Sequence, residues 1–256
     1  MDLGLKGKVA MISGASRGLG RAMALGFAAE GCRLSLCARG QEGIERVAQE
    51  VRNSGAEVTA LAGDVTNEAD ARRWVDATQQ RFGRVDIVVN NVGGSRPGGN
   101  LSASREDWHS GFALNFFSAL DVCRLVVPLM SSQKSGCVIN IASVYGREWG
   151  GPMTYNAAKA AMISLSKEMA RELAPHGIRV NSVAPGSILF PGGSWEKRQQ
   201  ENPDGIAAFV KAELPFGRFG KPEEVADVVV FLASDRAQWV SGACITVDGC
   251  QSRSLI

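Results

Sequence analysis

Lys8-Val9-Ala10-Met11-Ile12-Ser13-Gly14-Ala15-Ser16-Arg17-Gly18-Leu19-Gly20 is the stretch that decides the fold. An apolar run of strand length passes into glycines spaced G-x-x-x-G-x-G, and a helical pattern starts directly after them. Glycine lets a backbone approach a ligand closely, and a helix N-terminus offers unpaired N–H groups and the positive end of its dipole. A strand, glycine loop and helix in this order suit a pyrophosphate, although the spacing is not the usual G-x-G-x-x-G. A tight strand-to-helix turn without a ligand is the plainer alternative.

Outward from this loop, short apolar runs alternate with segments of helical period, the pattern of repeated βαβ units. Strands are expected at 8–13, 33–38, 57–62, 86–90, 136–142, 178–184 and 243–247. Helices are expected at 19–30, 42–53, 68–82, 105–130, 155–174 and 223–233. Runs such as Ile87-Val88-Val89 and Val138-Ile139-Asn140-Ile141 are too continuously apolar for a half-solvated strand. They fit a parallel sheet covered on both faces. The expected fold is therefore α/β: a doubly wound, parallel seven-stranded, Rossmann-like sheet in one domain, with its ligands outside the carboxyl ends of the strands.

Composition narrows the function classes. The 256 residues carry 28 Lys and Arg against 26 Asp and Glu, a net charge of +2, so no broad basic surface argues for nucleic acid. The six cysteines form no C-x-x-C pair, and most lie in apolar runs, as buried free thiols in a reducing cytoplasm would. The first residues hold too little apolar sequence for a signal peptide. No unbroken run of 18 apolar residues suggests a membrane span. Residues 187–221 differ in character, mixing Pro, Gly and charges with Phe190, Trp195, Phe209 and Phe216. So long a segment after a strand reads as a substrate lid in preference to a disordered insertion.

If the glycine loop holds a dinucleotide, the end of the second strand reads the ribose: an acid for a 2′-hydroxyl, Arg for a 2′-phosphate. That strand ends Leu36-Cys37-Ala38-Arg39, without an acid. Arg39, helped by Arg17, points to NADP(H); a solvated strand-end cation is the alternative. Gly14-Ala15-Ser16-Arg17-Gly18 also matches the G-x-S-x-G elbow of serine hydrolases. A Ser16 nucleophile needs a histidine base, and the two histidines stand in poor places for it: His109 inside a helical pattern, and His176 before a strand.

Tyr155 and Lys159 are four residues apart and share one face of a helix. A cation about 4 Å from a phenol, at an effective dielectric of about 20, is worth about 4 kcal/mol, up to about 3 pKa units toward neutrality. That would poise the tyrosine for general acid or base work. Ser143 follows the strand at 136–142, where its hydroxyl can hydrogen-bond a substrate carbonyl oxygen; a simple turn cap is the alternative. An NADP(H)-binding protein without catalysis would need the glycine loop but not these three residues together.

In this order the motifs resemble the short-chain dehydrogenase/reductase family over essentially the whole chain, nearest to its 3-oxoacyl-[acyl-carrier-protein] reductase branch. The glycine motif falls on Gly14, Gly18 and Gly20, and N-N-A-G on Asn90-Asn91-Val92-Gly93 with Val92 for Ala. Asp64-Val65 falls on the adenine contact and Pro185-Gly186 on the P-G motif. The resemblance implies catalytic Asn115, Ser143, Tyr155 and Lys159, with Asn115 distorting its helix to hold a proton-relaying water, and no metal. It implies a cofactor site of Gly14, Ser16, Arg17, Gly18, Leu19, Gly20, Arg39, Asp64, Val65, Asn91, Gly93, Tyr155, Lys159, Pro185, Gly186 and Ile188. It also implies ketone–alcohol interconversion in which Tyr155 protonates the oxygen and Lys159 depresses the tyrosine pKa.

A homotetramer built on the helices at 105–130 and 155–174 and on the last strand is implied too. Cys250 stands where relatives carry another glycine. The substrate is a small ketone or alcohol, with an acyl-carrier-protein thioester and a sugar or polyol both open. The pocket is expected in 94–99, in 147–153 and in the lid. There Trp149, Met153, Phe190 and Trp195 favour an apolar ligand, and Arg96, Arg147 and Glu148 a polar one. Lys197, Arg198, Lys211 and Arg218 are candidates for docking a carrier protein.

Overall fold

Every strand of the sheet is parallel, in the order β3-β2-β1-β4-β5-β6-β7. The strands are β1 (Val9–Ser13), β2 (Arg33–Ala38), β3 (Val58–Ala62), β4 (Ile87–Asn90), β5 (Gly136–Ile141), β6 (Ile178–Pro185) and β7 (Cys244–Val247). All seven lie within about one residue of their expected places. The computed structural model describes residues 1–95 and 99–255, so Arg96 lies outside the described residues.

Alternation along the strands explains the two helix layers. Ala10 and Ile12 of β1 face a core built with Met23 and Phe27 of α1 (Gly18–Ala29), Ile44 of α2 (Gln41–Asn53) and Val229 of α9 (Pro222–Ala233). Met11 faces the other way. It joins Trp74 of α3 (Glu68–Phe82), Val126 of α5 (Ser118–Gln133) and Met169 of α6 (Met153–Leu173). A one-residue slip would exchange these two sets, so packing on both faces holds the register.

The segment expected as one helix at 105–130 is three pieces: α4 (Arg105–Phe112), a π-turn at Ala113–Phe117, and α5. Among the described residues, Arg105–Gln133 is the one helical stretch long and apolar enough to cross a membrane by length and composition. Here it packs along α3, β4 and β5 as part of the helix layer. The chain turns to opposite sides on leaving β1 and β4, which opens a crevice at their carboxyl ends.

Candidate active site

The glycine loop forms one wall of that crevice, a cleft of about 970 Å³ along the strand ends. Gly14 and Gly18 have φ of +64° and +55°, a left-handed conformation that disfavours a side chain. A Cβ on Gly20 would lie 2.3 Å from the Gly14 carbonyl oxygen, so α1 starts this close to β1 only with glycine there. Of the expected cofactor residues, Gly14, Ser16, Arg17, Leu19, Arg39, Asp64, Val65, Asn91, Gly93, Tyr155, Lys159, Pro185, Gly186 and Ile188 all line the cleft. Gly18 and Gly20 do not; they shape the backbone behind it. Asn91 braces the loop, its Nδ2 donating to the carbonyls of Ser13 and Gly14 at 3.0 and 3.2 Å. The lining and the glycine cradle suit a dinucleotide's phosphates.

Three of the four expected catalytic residues line the middle of the cleft. Ser143, directly after β5, caps a short turn: its Oγ accepts the Tyr145 N–H at 3.1 Å, which aims the hydroxyl, and both Ser143 and Tyr155 line the cleft. The turn cap and the functional placement are thus one arrangement. Tyr155 lies in the first turn of α6, and Lys159 lies one turn on, fully buried, its Nζ donating to the Ile141 carbonyl at 2.7 Å. Asn115 sits in the π-turn, buried behind the cleft. Its Oδ1 accepts the Gly94 N–H at 2.9 Å, and its Nδ2 donates to the carbonyls of Gly94 and Gly111 at 3.0 and 3.1 Å. A Cβ on Gly93 would stand 2.8 Å from Asn115 Oδ1 and 2.9 Å from Lys159 Nζ, so this glycine lets the two approach the same backbone atom.

Electrostatics departs from expectation at the tyrosine. Burial pushes the Tyr155 phenol above its ordinary pKa, with the Ser143 hydroxyl pulling it partly back. The expected depression by Lys159 does not occur. Burial lowers the lysine's own pKa to about 7, so it is only partly charged at neutral pH, and its ammonium is turned to Ile141, 5.8 Å from the phenol ring centroid.

Arg17 is a second departure. Its Nη1 donates to the Gly192 carbonyl at 2.7 Å, which turns it toward 187–221, while Arg39 lines the cleft directly after β2.

A family model described as Enoyl-(Acyl carrier protein) reductase matches residues 14–250, nearly the whole chain and every site residue just described. The chain belongs to the short-chain dehydrogenase/reductase family. Among its relatives is the 3-oxoacyl-[acyl-carrier-protein] reductase FabG of Thermotoga maritima, 36% identical over 247 residues, 96% of this chain and 98% of the relative. Isoepoxydon dehydrogenase patN of Penicillium expansum is 33% identical over 254 residues, 97% and 96% of the two chains. Among solved structures, L-sorbose reductase from Gluconobacter frateurii, complexed with NADPH and L-sorbose, superposes with a TM-score of 0.94 at 34% identity, covering 100% of both chains. The protein is therefore an oxidoreductase of this family.

Beyond the expected catalytic residues, this short-chain dehydrogenase/reductase carries a segment whose structure the sequence did not disclose. Residues 187–221 hold two helices, α7 (Ser194–Glu201) and α8 (Pro203–Glu213), where only a lid of unspecified structure was expected. Asn202 caps α8 by accepting the Gly205 N–H, and Pro203 starts it. Those signals were present in Asn202-Pro203-Asp204-Gly205 but were masked by the surrounding Gly and Pro. Of the four lid aromatics, Phe190 and Trp195 line the cleft. Phe209 instead stacks on Trp195 at 4.7 Å between centroids, and Phe216 is 70% exposed and lies against Gly249.

Trp149 and Met153 are exposed, at 87% and 50%, and do not line the cleft. Arg147 donates to the Cys244 carbonyl, and Glu148 accepts from residues 252 and 253. Missed cleft residues include Gly40, Gly63, Leu114, Ile141 and Ser194; the first two lie within two residues of strand ends, a rule that would have found them. Among the described residues no histidine lines the cleft, and Ser16 packs toward Gly43 of α2, so the hydrolase alternative lacks its base there. Cys250 has φ +65°, the conformation that glycine in its place would favour.

Proposed function

We propose that the protein interconverts a ketone and a secondary alcohol with NADP(H), through Tyr155 as proton donor and acceptor. The observation that carries this reading is that Ser143, Tyr155 and Lys159 line one cleft that the glycine loop borders, with Lys159 buried one helical turn from Tyr155. NADPH, when bound, supplies the hydride for the carbonyl carbon. The chain's residues do the rest. Ser143 donates a hydrogen bond to the carbonyl oxygen, fixing it near the phenol and stabilising the charge that grows on it. Tyr155, kept protonated by burial, gives that oxygen its proton. Lys159 and Asn115 flank Gly93, from where Lys159 reaches both the nicotinamide ribose and the proton path behind Tyr155. The glycine loop, Asp64, Val65 and the segment Pro185 to Ile188 bind the rest of the cofactor. Arg39 selects the 2′-phosphate, a choice supported by the likeness to a reductase complexed with NADPH.

A 3-oxoacyl thioester is the first substrate class, supported by the acyl-carrier-protein reductases among the relatives. A sugar or polyol is the second, supported by the TM-score of 0.94 to an L-sorbose reductase. A homotetramer in the cytoplasm completes the reading.

The test is NADPH oxidation against acetoacetyl thioesters, L-sorbose, steroid ketones and diketones. Wild type should oxidise NADPH with at least one class, and Tyr155→Phe should lose at least about 10³-fold in kcat while binding NADPH as wild type does. Retained turnover in Tyr155→Phe refutes the mechanism. Arg39→Asp should raise the NADPH KM at least tenfold and leave the NADH KM within about twofold; an unchanged NADPH KM refutes the phosphate assignment.

A further inference from the structure

Residues 248–253 follow β7 and belong to neither the catalytic nor the cofactor set. Even so, they touch three other segments: the start of 187–221, the loop after Ser143, and α8. Gln251 Oε1 accepts the Ser187 N–H at 2.7 Å, where the lid leaves β6. Glu148 Oε2 accepts the Ser252 hydroxyl at 3.0 Å and the Arg253 N–H at 2.8 Å. The Arg253 guanidinium reaches Glu213 at 3.1 Å, in the last turn of α8.

Glu148 is in turn tied to the catalytic residues. Its carbonyl accepts Nδ2 of Asn156, the neighbour of Tyr155, at 3.2 Å, and its N–H donates to the carbonyl of Val144, the neighbour of Ser143, at 3.1 Å. The connecting segment is a closed turn, not a draped tail. Asp248 accepts the N–H groups of Cys250 and Ser252 through its two carboxylate oxygens, and Cys250 takes a left-handed conformation between them.

We propose that residues 248–253 are a strap that holds the Ser143–Tyr155 loop and the far end of the lid at a set separation. Glu148 and Arg253 are then positioning residues that set the width of the ketone subsite. The strap's effect on turnover rests on the reductase reading; its mechanical part does not. Hydrogen bonds to a carboxylate are stronger than neutral ones, so Glu148 is the anchor, and the exposed Arg253–Glu213 pair orients more than it stabilises.

Hydrogen exchange on Glu148→Ala, read by mass spectrometry, tests the strap without any substrate. Exchange should quicken about tenfold in both 144–152 and 203–216 and stay unchanged in α1. In kinetics the ketone KM should rise at least fivefold, with kcat and NADPH affinity within about twofold of wild type. Glu148→Gln, which keeps an acceptor oxygen, should recover most of the effect. Faster exchange confined to 147–149, or a joint fall of kcat, cofactor affinity and Tm, overturns the proposal. Should wild type oxidise NADPH with none of the ketones, the reductase reading fails and exchange alone decides the strap.

Discussion

Lys159 shows at the scale of one residue how a function can oppose stability. Its folded pKa of about 7 lies well below the ordinary lysine value near 10.4. Below pH 7 folded and unfolded chains both hold the proton, and folding bears the full cost of burying the ammonium. Between about pH 7 and 10 only the unfolded chain keeps it, so this contribution to stability rises with pH. Lys159→Met should therefore be more stable than wild type at pH 6–7, by on the order of 2–4 kcal/mol, and the gap should close toward pH 10. Thermal unfolding of both chains across that range measures it; a gap independent of pH contradicts the assignment. Ser143, Tyr155 and Lys159 were legible in the sequence because their spacing depends on local geometry: a strand end, and two positions on one helix face. The direction of the Tyr155 pKa was not, because burial is set by every segment that closes over the phenol.

At the scale of the element, α1 and the lid meet at one glycine. A Cβ on Gly18 would come within 2.7 Å of the Phe190 ring, and Gly18 has a positive φ as well. Gly18→Ala should weaken NADPH binding about tenfold or more, read by nicotinamide fluorescence. Adding Phe190→Ala should restore part of the loss, since it removes the contact but leaves about 1–2 kcal/mol of backbone strain. Full recovery in the double variant would mean that strain plays no part; no recovery would mean that the ring does not matter. The helices of the lid escaped the sequence reading because neither has a buried stripe of its own. α7 and α8 contribute no fully buried residue, and their order rests on a three-ring cluster in which Trp195, Phe209 and Phe219 all touch one another, with Arg198 over the Trp195 ring at 4.9 Å. Such an aromatic cluster joins residues far apart in sequence, which no periodicity reports. The π-turn at Asn115 is comparable. A helical period ran through it unbroken, and the distortion was expected only from the family resemblance.

At the scale of the whole molecule, the apolar surface left by the helix layer has a consequence for assembly. Phe117 is 47% exposed on the π-turn, edge to face with Phe116 at 5.3 Å, on the helix pair expected to join subunits. Light scattering should report a tetramer for wild type and a smaller species for Phe117→Glu, with NADPH binding retained in the dissociated form. A monomeric wild type, or a tetramer indifferent to the charge, contradicts assembly through this face.

The alternation of apolar runs and helical periods and the glycine spacing after β1 were enough to predict a doubly wound parallel sheet with its cleft at the strand ends, and the missing acid at the end of β2 was enough to predict NADP(H). Each of these is a local rule of backbone sterics or side-chain period, written within a few dozen residues. Tertiary structure alone decided the engagement of Arg17 with Gly192, the upward direction in which burial moves the Tyr155 pKa, the two helices within 187–221, and the ties of residues 248–253 to Glu148 and Glu213. All four depend on groups separated by tens to hundreds of positions meeting in one place. That meeting is a property of how the layers pack around the cleft, and no single stretch of the chain contains it.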